Sequence, residues 1–184
     1  MVSKKIKIGF IYPEGNSWTG EVNYINSIIS NLSILNLNFC VFCSPSQKTY
    51  LSSFLSKKNI CDSFFLKKKS FFFVLRKIIK IIFKKDLILK SILKKKKINI
   101  LSHYTPVPGI LSICWIPDLQ HLYLKSFFSN AELKRRDLLF NLYIKKANTI
   151  IVSSKDSFSK LKKNYKINNA KVCILNFVPK IDLK

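Results

Sequence analysis

Apolar positions along this chain follow two alternating rhythms, one of period two and one of period 3.6. Lys5 to Tyr12 begins by alternating and ends as a continuous apolar run, which predicts a strand buried on both faces. Pro13, Gly15 and Gly20 break the pattern. From Glu21 to Leu35 the residues Val22, Ile25, Ile28, Ile29 and Leu32 recur at helical spacing, and Thr19 is the expected N-cap. Phe39 to Cys43 and Ile60 to Leu66 predict strands, with a modest helix over Gln47 to Ser56 between them. Ser70 to Lys97 then runs in helical period. Phe71, Phe72, Leu75, Ile78, Ile79 and Ile82 form its apolar face, and Arg76, Lys77, Lys80 and Lys84 its basic one.

The second half repeats the alternation. Ile98 to Ser102 and Gly109 to Ile116 predict strands, the latter ended by Pro117, which has no N–H to extend a central ladder. Ser129 to Glu132 has capping-box spacing, so a helix is expected from Asn130 to Lys146. Thr149 to Ser153 predicts a strand, Lys155 to Tyr165 a helix capped by the Ser153-Ser154 pair, and Lys171 to Leu175 a last strand. Strands alternating with helices imply parallel pairing through right-handed crossovers. The expected class is α/β, a Rossmann-like three-layer α/β/α domain with a mainly parallel sheet of about seven strands over residues 1–179. Residues 180–184 read as the start of a linker or a truncated tail.

Composition changes the picture in three places. The 184 residues are 48% hydrophobic, enough for one domain with a substantial core. The net charge of +24 invites a nucleic-acid reading, but only Arg76, Arg135 and Arg136 of the 33 basic residues are arginine, and base and phosphate readers favour its planar fork. Lysine here accompanies abundant isoleucine, asparagine and phenylalanine, as A/T-rich codons produce, so nucleic acid is ranked last among partners. The segment 70–97 has two readings: a helix packed on the sheet with a solvated lysine face, or a basic amphipathic surface lying on an anionic membrane leaflet. Five cysteines without a framework read as reduced thiols in a cytoplasmic protein, and the Cys40–Cys43 spacing without a second pair does not suit zinc. The N-terminus enters a strand directly, without the pattern of a signal peptide, and no apolar run approaches a bilayer's thickness.

Candidate chemistry gathers after the fifth strand. Asp118, Gln120 and His121 bring a carboxylate, an amide and an imidazole to the point where a strand hands over to a loop. His103, the chain's other histidine, also falls just past a strand, and ligands of open α/β sheets bind beyond the carboxyl ends of the strands. Asp118 or His121 could orient a hydroxyl or act as a base, and each could equally be an ordinary turn or packing group. The loop ending at Gly20 is a surface a ligand can approach closely, or simply a tight connection.

Three segments carry a family resemblance. They are Ile8 to Leu32 with Gly15-Asn16-Ser17-Trp18-Thr19-Gly20-Glu21-Val22-Asn23-Tyr24; Trp115-Ile116-Pro117-Asp118-Leu119-Gln120-His121-Leu122 with Phe127-Phe128-Ser129 and Arg136; and Ile150 to Ser157. Together they resemble the N-terminal, acceptor-side domain of GT-B glycosyltransferases of family 4, which are retaining, metal-independent and use nucleotide sugars. The resemblance implies half of a GT-B fold, with Asp118 and His121 as catalytic groups and Gly20, Asn23, Tyr24, His103 and Gln120 on the acceptor side. Where the family often has two adjacent glycines this chain has Gly20-Glu21. The family's donor-binding domain, with its E-x7-E motif, has no counterpart here. The expectation is therefore no cofactor, a nucleotide-sugar donor only with a partner subunit carrying that domain, and no turnover by the chain alone. Localisation is expected to be cytoplasmic, peripheral to the inner membrane face under the second reading of 70–97. Without the second domain, Trp115, Phe127, Phe128 and Phe177 are expected to be partly exposed, favouring self-association. The alternative is a non-catalytic Rossmann-like binding module or membrane-docking domain.

Overall fold

The computed structural model describes residues 6–14 and 18–176. It is an α/β structure whose strands are β1 (Ile8–Ile11), β2 (Phe39–Cys43), β3 (Ile60–Asp62), β4 (Ile100–Ser102), β5 (Leu111–Ile116), β6 (Thr149–Val152) and β7 (Lys171–Ile174). They form one seven-stranded sheet in the order β3-β2-β1-β4-β5-β6-β7, and β1–β2, β2–β3, β5–β6 and β6–β7 pair in parallel. The helices are α1 (Thr19–Ile34), α2 (Lys48–Ser52), α3 (Phe71–Phe83), α4 (Leu87–Lys95), α5 (Gln120–Tyr123), α6 (Asn130–Lys146) and α7 (Lys155–Asn164). The Rossmann-like, parallel α/β class expected from periodicity is the one observed. Chain contacts group the described residues into two units, one of 6–14, 18–101 and 107–110, the other of 102–106 and 111–176.

The first unit is built on β2, whose five residues are all buried, as a strand covered on both faces must be. Phe10, Ile25, Ile29, Phe39, Val41 and Leu51 form its core. Gly9 pairs with Cys40 across the β1–β2 ladder, and a Cβ there would lie 2.9 Å from Ile98 Cγ2, so the close packing requires glycine. Trp18 rather than Thr19 occupies the N-cap of α1, without a side-chain cap bond. The third strand ends at Asp62, four residues short of the expected Leu66, because the Ser63 side chain accepts from Phe65 N–H and turns the chain into a 3-10 turn over Phe64–Leu66.

The basic stretch departs most from expectation. It is two helices, because Lys84 adopts a left-handed conformation (φ 51°) that ends α3, and Asp86 caps α4 by accepting from Leu89 N–H at 3.1 Å. Of the apolar face expected to pack on the sheet, Phe71, Phe72, Ile78 and Ile82 are exposed and Leu75 and Ile79 half-buried. Arg76, placed by periodicity on the solvated face, is buried instead. Its Nε donates to Asp86 Oδ1 at 3.0 Å and its Nη2 to Asp86 Oδ2 at 2.6 Å, a two-pronged pair in which both side chains are 7% exposed. A buried guanidinium must be paired, so this pair determines which side of α3 turns inward.

The second unit has its core at Cys114, Ile116, Phe140, Ile144, Ile150 and Val152. Burial alternates along β5, with Ser112, Cys114 and Ile116 inside. Ser129 caps α6 by accepting from Glu132 N–H at 3.2 Å, and Ser154 caps α7 by accepting from Ser157 N–H at 3.0 Å, both as their spacing predicts. The short helix α5 is not signalled by periodicity, since four residues hold barely one turn.

Removing one partner of a buried ion pair strands the other, and Asp86 is a cap besides. Asp86→Ala is therefore expected to lower unfolding free energy by about 3–5 kcal/mol in urea titrations. A loss under ~1 kcal/mol would mean the pair does not hold α3 and α4 together.

Candidate functional site

In the second unit the residues at and just beyond the carboxyl ends of the strands carry polar and aromatic groups in separate sets, one around His103, Trp115 and Ser153 and others around Asp118 and His121. His103 follows β4 in a left-handed conformation, φ 58°, uncommon for a side chain with a Cβ. Its backbone N–H donates to Ile113 O at 2.7 Å, and its Nδ1 lies 2.7 Å from Ser102 Oγ. The ring sits 6.0 Å from that of Trp115, centroid to centroid. Trp115 Nε1 donates to Ser153 Oγ at 3.0 Å, and Cys114 Sγ lies 3.2 Å from Tyr104 O. Burial pushes the His103 pKa down to about 4, so the imidazole is neutral at neutral pH.

Asp118 stands in the turn after Pro117. Its Oδ1 accepts from Gln120 N–H at 3.0 Å and from Arg136 Nη1 at 3.0 Å. Arg136 lies over the Phe128 ring at 4.8 Å and donates through Nε to Glu132 Oε1 at 3.0 Å. Arg135 also binds Glu132, twice at 2.7 Å, and these guanidinium bonds, those of Arg135 foremost, hold the Glu132 carboxyl down at about 2. His121 is 1% exposed, edge-on to Phe140 at 5.2 Å, with Nε2 3.3 Å from Asp137 Oδ1. Burial lowers its pKa against the pull of Asp137. Among the described residues its Nδ1 has no hydrogen-bond partner.

The structure thus sets Asp118, Gln120 and His121 in one turn, with different access. Asp118 is half-buried, Gln120 exposed and His121 enclosed. His103 belongs to the same unit. Gly20, Asn23 and Tyr24 lie together on α1 of the first unit. There Asn23 is exposed and Tyr24 buried, its hydroxyl pKa raised to about 12 by desolvation. A Cβ at Gly20 would meet the Trp18 ring at 2.4 Å, so the indole covers that position. Phe127 is 80% exposed, Trp115 and Phe128 are half-buried, and Phe177 lies outside the described residues.

Periodicity missed the Trp115–Ser153 bond and the His121–Asp137 pair. The first depends on the β5–β6 register, which sets Trp115 opposite Ile151 and so two residues from Ser153. The second joins residues sixteen apart through the packing of α5 and α6. Among the described residues no group of three or more His, Cys, Asp or Glu could hold a metal ion. A cavity of about 460 Å³ beside α7, lined by residues including Phe158, Lys162, Tyr165 and Val172, shares none of the candidate residues.

Fold and strand-edge chemistry together define an α/β protein with a parallel, Rossmann-like sheet. No protein-family model matches the chain, and no curated protein does.

His103 is neutral when folded, while an unfolded histidine titrates near ~6.5. As pH falls, the unfolded chain binds the proton first. The stability this group contributes is complete above ~6.5 and is lost as pH falls toward about 4. His121 acts in the same direction, and Glu132 only at lower pH, where its own carboxyl protonates. Urea denaturation from neutral to mildly acid pH should therefore show a falling midpoint, with a shallower slope in His103→Gln. A flat wild-type profile down to about pH 4 would contradict the burial of the ring.

Proposed function

We propose that this chain is the acceptor-side half of a glycosyltransferase-like protein of GT-B architecture, acting with a partner that supplies the nucleotide-sugar site. The observation that carries this reading is the placement of groups at the carboxyl ends of parallel strands, where His103, Trp115, Ser153 and Asp118 stand within one unit. An aromatic face beside hydrogen-bonding groups suits a saccharide or another polyhydroxyl acceptor, which offers apolar C–H faces and hydroxyls together. In this reading the acceptor hydroxyl faces Asp118, while His103, its Nδ1 on Ser102 Oγ and its ring beside Trp115, is a positioning residue for the aromatic face. Asp118, oriented by Arg136, takes up that hydroxyl's proton as the acceptor oxygen bonds to the sugar carbon and the sugar's bond to the nucleoside diphosphate breaks, the diphosphate remaining in the partner's donor site. His121 is a positioning residue, holding α6 through Asp137 rather than touching the acceptor. No metal is invoked.

A second reading, a non-catalytic binding module, is favoured by one contact. Asp118 Oδ1 already accepts from both Gln120 and Arg136, an arrangement as fit for fixing a turn as for proton transfer.

The test isolates the tagged chain from its native cells and identifies its bound proteins. A domain-sized partner with an E-x7-E motif is expected, and the reconstituted pair should move sugar from a nucleotide sugar to a saccharide acceptor. Asp118→Asn should lower that turnover by about 100-fold or more. Saccharide binding unaffected by Asp118→Asn, without turnover, would favour the binding module. Neither partner nor saccharide binding would overturn both readings.

A further inference from the structure

Helix α3 carries an apolar stripe turned away from its own unit. Phe71, Val74, Ile78, Ile81 and Ile82 recur at i, i+3, i+7, i+10 and i+11, one side of a helix about 20 Å long, and are between 48% and 76% exposed. The opposite side holds Arg76, anchored to Asp86 and donating also to Phe65 O. The stripe therefore cannot rotate inward without breaking a buried ion pair. A contiguous exposed apolar patch of this kind on a folded unit marks a surface that meets something else.

Charge identifies what that is. From Ser63 to Lys85 the chain contains Lys67, Lys68, Lys69, Arg76, Lys77, Lys80, Lys84 and Lys85, and no acidic residue. The seven lysines are all exposed, and Lys77 and Lys80 lie along α3 itself. Long lysine stems can lie beside an apolar surface and keep their ammonium groups at its wet margin. A second copy of the chain would bring the same lysines against these, so like-charge repulsion opposes pairing through the stripe. Nucleic acid would meet the lysines but has no use for five bulky aliphatic and aromatic groups set between them. No helix among the described residues is long and apolar enough to cross a bilayer. An apolar face that enters an interface, on a helix too short to span and with exposed lysines before, along and after it and no acidic residue among them, matches a leaflet rich in anionic lipid.

We propose that α3 is a membrane-docking helix. It lies in the plane of an anionic leaflet, with Phe71, Val74, Ile78, Ile81 and Ile82 entering the acyl boundary and the lysines before, along and after the helix supplying the attraction to the anionic surface. The buried Arg76–Asp86 pair holds the helix in this orientation on the free protein, so the surface is formed before it meets lipid.

The full chain is mixed with vesicles of phosphatidylglycerol and phosphatidylcholine, or of phosphatidylcholine alone, and bound protein is measured by co-sedimentation. Binding is expected to the mixed vesicles and to weaken with salt. The triple variant Lys77→Gln, Lys80→Gln, Lys84→Gln should lower partitioning roughly 100-fold. Ile78→Glu with Ile81→Glu should abolish it, and since both side chains are exposed the thermal midpoint should stay near wild type. Ile81→Trp should bind, with its emission shifting to shorter wavelength on the mixed vesicles only. Equal binding to both vesicle types, full binding by the Ile78→Glu, Ile81→Glu variant, or an unshifted tryptophan would overturn the proposal. So would lipid-free oligomers that dissociate on the glutamate substitutions, which would assign the stripe to a second copy. Tight duplex binding without vesicle binding would assign the lysines to nucleic acid.

Discussion

Parallel pairing is the constraint from which the rest of the structure follows. A parallel strand cannot be reached by a tight turn, so each return carries a crossover, and the crossovers cover the sheet's faces. Full burial of β2 and the 2.9 Å approach demanded at Gly9 are local expressions of that covering. It also sends every strand out by the same edge. Groups that end a strand, such as His103 after β4 and Asp118 after β5, collect there because the chain has no other place to leave the sheet.

This explains why the class was legible. Alternating periods of two and 3.6 state which segments are strands and which are crossovers, and the capping serines at Ser129 and Ser154 mark where helices begin. Boundaries were less legible because single residues decide them: the Ser63 side chain stops β3 early, and the left-handed Lys84 divides one helical pattern into two. The candidate turn could be read as a position, since Pro117 ends the strand. Its internal arrangement could not. Whether a histidine is open or enclosed depends on long-range packing, and His121 is enclosed because Phe140 and Asp137 of α6 come to it.

The instructive departure is α3. Its periodicity correctly separates an apolar side from a basic one, but a periodic pattern does not say which side faces the fold. The usual assumption, apolar side inward, fails because one arginine on the basic side finds a buried carboxylate ten residues on. A single pairing of long sequence reach thus outweighs the summed preference of several isoleucines and phenylalanines, and it decides what the helix shows to its surroundings.

All three arginines of this chain are paired with carboxylates: Arg76 with Asp86, Arg135 with Glu132, and Arg136 with Asp118 and Glu132. Lys48 and Lys160 take Asp62 and Asp156. The scarce acidic groups are thus largely spent on internal pairing, and the remaining lysines act together as a diffuse positive field. Such a field concentrates any small anion near the surface at low ionic strength and fades within about 10 Å at ~0.1 M salt. Phosphate or nucleotide retained by this protein in dilute buffer would then report its ion atmosphere, and only retention that survives added salt would report a pocket.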